Sequence, residues 1–136
     1  KMAASDSEVA ETSPGGQVIR FHNLLCSRYG WDTYGAFDRD NGIEVAWNVI
    51  KRSLLPDRAS QQALTEAIVV CMDAACDHRS ILTMFYKWQT ETDVVVCTEL
   101  FSAGSLASWM RKTGHCNSRI QRRWARAIVG AMAHLH

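Results

Sequence analysis

Apolar and polar positions along the chain follow two periods, and the change between them predicts the elements. The run Ile43 to Ile50 alternates, with Ile43, Val45, Trp47 and Val49 on one face and Glu44, Ala46, Asn48 and Ile50 on the other, as in a strand. Before it, VIRFHNLL from Val18 carries the β-branched and aromatic residues of a half-buried strand, and Thr33 to Phe37 predicts a second, with Asp40-Asn41-Gly42 as the turn. After Pro56 the period becomes three and four. Leu64, Ile68, Cys71, Met72 and Ala75 recur among polar residues, which predicts an amphipathic helix that Asp57 or Ser60 can cap. ILTMFYKW and VVVCTEL predict two more strands joined by the polar loop QTETD. Gly104-Ser105 then opens the short helix SLASWMRK. Asn117 or Ser118 caps a longer one with the apolar stripe Ile120, Trp124, Ile128, Ala131 and Leu135.

The expected architecture is α+β: a five-stranded antiparallel sheet with one helix against it over residues 18–100, then two helices over 101–136. Residues 1–17, small and acidic with few large apolar groups, are expected to form a disordered tail.

Charge and cysteine content narrow the function. With 15 Lys and Arg against 14 Asp and Glu, the chain lacks the basic excess of a dedicated nucleic-acid binder. No apolar run approaches the ~18 residues of a membrane span. Five Cys at irregular spacing do not form a disulfide framework, so an intracellular compartment is expected, the cytoplasm by default or an organelle. Cys71, Cys76 and His78 lie close in sequence, but structural zinc wants four ligands, so no metal is expected. Trp47, Trp88 and Trp124 read as packing residues. Arg119, Arg122, Arg123 and Arg126 fall mainly opposite the apolar stripe of the last helix, where a solvated face is the simpler reading than a binding patch.

The phrases EVAWN, HRSILTMFYKW, VVVCTELFSAGSL and RRWARAIVGAMAHLH, in that order, resemble the with-no-lysine kinases and the nuclear receptor-binding protein pseudokinases. The resemblance covers residues 18 to 136 and implies a protein-kinase-like small lobe, a hinge and the first helices of an incomplete large lobe. It places Thr98 at the gatekeeper position and Glu99, Leu100 and Phe101 at the hinge. Ala46 then falls where strand three meets an adenine, Leu25 just before the phosphate loop, and His78 at the start of the strand after the control helix, there as a local turn residue.

Kinase chemistry uses a Gly-rich loop, a strand-three Lys on the phosphates and a helix Glu to hold that Lys. The resemblance puts Asn48 at the Lys position and Val69 at the Glu position, with Glu66 one turn earlier. The with-no-lysine kinases take their Lys from the second strand instead, where this chain has Trp31. CSRYGW stands for the glycine motif, with Cys26 and Arg28 at its first two glycines and Gly30 one residue out of step. Arg28 is the loop's sole cation and the one candidate phosphate contact. The family's catalytic-loop and metal-binding motifs would lie beyond His136, so this stretch is expected to catalyse nothing by itself. The expected function is a pseudokinase scaffold or assembly subunit with weak or no ATP binding and no cofactor. A protein partner or larger complex is expected to cover Ile120, Trp124, Ile128 and Leu135. The alternative is the small lobe of an ATP-binding Ser/Thr kinase of the with-no-lysine type.

Overall fold

The computed structural model describes residues 8–75 and 78–136. Six strands and three helices follow in the order β1 (Val9–Thr12), β2 (Val18–Arg28), β3 (Trp31–Asp38), β4 (Ile43–Lys51), α1 (Arg58–Ala75), β5 (Met84–Gln89), β6 (Asp93–Glu99), α2 (Leu106–Thr113) and α3 (Ser118–Leu135), with a 3-10 turn at Arg52–Leu54. The strands form one antiparallel sheet in the order β1-β2-β3-β4-β6-β5.

The alternation of Ile43 to Ile50 sorts as expected. Val45 and Trp47 join Val18, Ala36, Val95 and Cys97 in one core, where the buried Trp47 ring meets Trp88 edge-on at 4.6 Å. Ile50 joins Val94, Val96 and Ile68 in a second core, which places α1 against the opposite face. Two buried clusters on the two faces leave β4 and β6 buried on both sides.

The sheet has one strand more than the sequence pattern predicts. Val9–Thr12 pairs with β2, so that part of the expected tail is ordered, while residues 1–7 lie outside the described residues. VAET is too short and polar to announce itself; main-chain pairing holds it, with the Ser13 hydroxyl accepting from Val18 N at 3.0 Å. Cys71, expected on the buried stripe of α1, is exposed: Leu64, Ile68 and Met72, four residues apart, make the contact instead. Cys76 and the Ala75 side chain lie outside the described residues. β5 begins at Met84 rather than Ile81, because His78 folds the preceding segment into a turn, its Nδ1 accepting from Ser80 N at 3.1 Å.

A buried carboxylate organises the β3–β4 turn. Asp38 is wholly inaccessible and accepts from the amides of Asp40 (2.9 Å) and Asn41 (3.1 Å), from Asn41 Nδ2 (2.8 Å) and from the Tyr86 hydroxyl (3.1 Å). Burial alone would raise the Asp38 carboxyl, but the bonds from Asn41, Tyr86 and Asp40 outweigh it and hold the group below its ordinary 3.8. Tyr86, desolvated and donating to Asp38, is pushed above 10.0. Asp38 therefore stabilises the fold above about pH 4 and less as pH falls through its lowered value. Tyr86 stabilises it below about pH 10 and less as pH rises through its raised value. Urea unfolding across pH should show a plateau between these limits with a decline on each side. Tyr86→Phe should cost about 1 kcal/mol at neutral pH and weaken the alkaline decline; an unchanged alkaline limb would contradict this role.

Candidate functional site

The strand-four position that the resemblance assigns to a lysine is built by parity. Ala46, Asn48 and Ile50 share the face that α1 covers, and the register sets Asn48 opposite Thr33 on β3 and Val96 on β6, with Ala46 opposite Thr98. Asn48 is buried at 6% exposure, so its carboxamide must find partners. Its Oδ1 accepts from Thr33 Oγ1 at 2.9 Å and from Trp31 Nε1 at 3.2 Å. Its Nδ2 donates to Val96 O at 3.1 Å and to Thr98 Oγ1 at 3.2 Å. Two lone pairs and two N–H groups are all used, which is the full capacity of the amide. Thr98 continues the chain by donating to Glu99 O at 3.1 Å.

Asn48, Trp31, Thr98 and Ala46 thus come together as one network, and Thr33, which the sequence pattern did not single out, belongs to it. Trp31 and Asn48, to which the resemblance assigns the two lysine positions, are hydrogen-bonded to each other. The lysine nearest in sequence is excluded by geometry. Lys51 lies three residues beyond Asn48, an odd offset that turns it to the opposite face, where Nζ meets Asp32 Oδ2 at 3.2 Å. Hydrogen bonds from Ser27 and Lys51 hold the Asp32 carboxyl below its ordinary value.

CSRYGW closes as a hairpin in which Arg28 pairs with Trp31 across the turn Tyr29-Gly30. Gly30 carries φ 74°, a left-handed conformation that suits glycine. The Arg28 guanidinium lies over the Trp31 ring, 5.4 Å from its centroid. On α1, Val69 is half-buried, and Glu66 accepts from Gln62 Nε2 at 2.8 Å on its own helix. At the end that the resemblance assigns to an adenine, Ala46 and Thr98 are buried, whereas Leu25 is about half exposed and Phe101 more so. Glu99 is fastened to Thr83, its Oε1 accepting the Thr83 amide at 2.8 Å.

Ile120 and Trp124 of α3 are half-buried, Trp124 meeting Trp109 of α2 edge-on at 5.3 Å. Ile128 and Leu135 are about half exposed, beside Val129 and Met132. Among the described residues no helix is long and apolar enough to cross a membrane.

A protein kinase domain model matches residues 30–136. The chain belongs to the protein kinase family. Among curated proteins, this kinase-family chain is similar to the serine/threonine-protein kinase WNK8 of Arabidopsis thaliana, 31% identical over 135 residues covering 96% of the chain and 23% of that protein. It also resembles the serine/threonine-protein kinase WNK4 of Rattus norvegicus, 27% identical over 137 residues covering 97% of the chain and 11% of that protein. The chain therefore spans under a quarter of the length of these two relatives. The solved structure of Rad53 residues 1–466 in complex with AMP-PNP superposes with a TM-score of 0.75 over 90% of the chain and 31% of that one, at 16% identity, and shares its fold. The domain is thus the small lobe and first large-lobe helices of a kinase fold, related to the WNK serine/threonine kinases.

Removing the carboxamide should be costly. Asn48→Ala orphans the Trp31 indole N–H and the Thr33 hydroxyl, and should lower stability by about 2 kcal/mol, or roughly 6–10 °C in Tm by calorimetry. A loss below about 0.5 kcal/mol would show that the network contributes little.

Proposed function

We propose that this kinase-family domain acts through protein contacts, as a scaffold or structural subunit, and does not transfer phosphate. The supporting observation is the saturated, neutral hydrogen-bond network around Asn48. Phosphoryl transfer depends on cations positioned against the β and γ phosphates. The side chains at that end do not fit a triphosphate: Asn48 has no free donor, Trp31 is neutral, Arg28 stacks on Trp31, and Lys51 is held on the far face by Asp32. Any residual binding would come from the apolar walls at Ala46 and Leu25 and from the hinge, and would be weak and indifferent to magnesium. The exposed Ile128 and Leu135, with Ile120 and Trp124, offer the surface for a protein partner.

The similarity to WNK kinases favours a second reading, the nucleotide-binding lobe of an active serine/threonine kinase, supported by the buried pairing of Ala46 with Thr98 at the adenine end. Thermal shift separates the two. With millimolar ATP, the scaffold reading expects a shift under about 2 °C, the same with and without magnesium. A magnesium-dependent rise of several degrees would favour the kinase reading. Asn48→Lys should not generate ATP turnover in a phosphate-release assay, because Val69 leaves the new ammonium unpaired; it should instead destabilise the fold.

A further inference from the structure

Five arginines line one groove outside the cleft. Arg119, Arg122, Arg123 and Arg126 recur at intervals of three and four on α3, and Arg79 approaches from the turn after α1; with Ile120 and Gly130 they enclose about 1100 Å3. The helix lies near that turn at Gly130, where a Cβ would be in ordinary contact with His78 Nε2, 3.9 Å away. Among the described residues, no carboxylate forms an ion pair with any of the five guanidinium groups. α3 has no Asp or Glu to neutralise them. This arrangement costs stability: Arg119 with Arg123 and Arg122 with Arg126 are like-charge pairs four residues apart, and no acidic residue occupies the first turn, where the helix dipole favours one. A local rule broken without a compensating contact among the described residues points to a ligand that supplies it.

We propose that this groove binds an extended acidic peptide segment of a protein partner. The arginines are strung along the helix rather than ringed about a point. Ser118 to Gly130 spans about 18 Å at 1.5 Å per residue, the reach of five or six extended residues. Each guanidinium fork suits a carboxylate, and Ile120 and Gly130 add an apolar floor for the backbone between charges. The groove shares no lining residue with the nucleotide cleft, so the proposal stands independently of how the cleft is read.

Fluorescein-labelled hexaglutamate titrated into the intact chain by anisotropy tests this. Saturable binding is expected, weakening as salt rises. The pair Arg122→Gln with Arg126→Gln should raise Kd about tenfold, while Arg111→Gln with Lys112→Gln on α2 should leave it unchanged. Arg122→Lys with Arg126→Lys should fall between, because charge is kept and the fork lost. The glutamine variants of α3 should melt at or above the parent, since like-charge repulsion is relieved, so weaker binding would not reflect unfolding. Failure of hexaglutamate to bind, equal loss from both glutamine pairs, or binding of inositol hexakisphosphate that hexaglutamate cannot displace would each overturn the proposal.

Discussion

The centre of this small lobe depends on one buried carboxamide. Asn48 sits where β3, β4 and β6 run side by side, and burial requires each of its polar atoms to be matched. Thr33 and Trp31 meet the oxygen; Val96 and Thr98 meet the nitrogen. A lysine at the same position would need a carboxylate close by. Among the described residues the network contains none and is built of neutral donors and acceptors throughout. Replacing an ion pair by a satisfied neutral set removes the desolvation cost of two charges.

The rest of the sheet is arranged around that choice. Strand parity sends Trp47, Val95 and Cys97 to one face and Asn48, Val96 and Thr98 to the other, so one set makes the dry core and the other lines the cleft under α1. Burial pushes the Cys97 thiol up to about 12, so it packs as an inert apolar group. The same parity carries Lys51 away from the cleft to Asp32. At the far end of the β3–β4 pair, Asp38 and Tyr86 tie the turn to β5. The charges of Asp38, Asp32 and Lys51 are thus satisfied by backbone amides or a surface partner, and the Asn48 network under α1 is neutral.

Much of this was legible in the residues. The alternation of Ile43 to Ile50 assigns both faces of β4, and the ordered phrases that resemble with-no-lysine kinases give the element order. Cross-strand register was not legible: that Thr33 faces Asn48 depends on the turn at residues 39–42 that joins β3 to β4, and the bulges in β2 show how easily pairing shifts. The Asp38–Tyr86 bond joins residues 48 apart, beyond any local pattern. β1 carries no apolar signal because its partner is main chain. Cys71 was misplaced because one residue of rotation on a helix decides between a buried and an exposed position. The spacing of the α3 arginines was visible, but not the Arg79 wall that makes a groove of them.

The central claim, that Asn48 and Trp31 form one energetically coupled unit in place of a charged pair, is tested most directly by a double-mutant cycle. Trp31→Phe, Asn48→Ala and their combination would be compared by urea unfolding at neutral pH. The network predicts a coupling of about 1 kcal/mol, with the second substitution costing less once the first is made. Additive losses, with a coupling indistinguishable from zero, would contradict it.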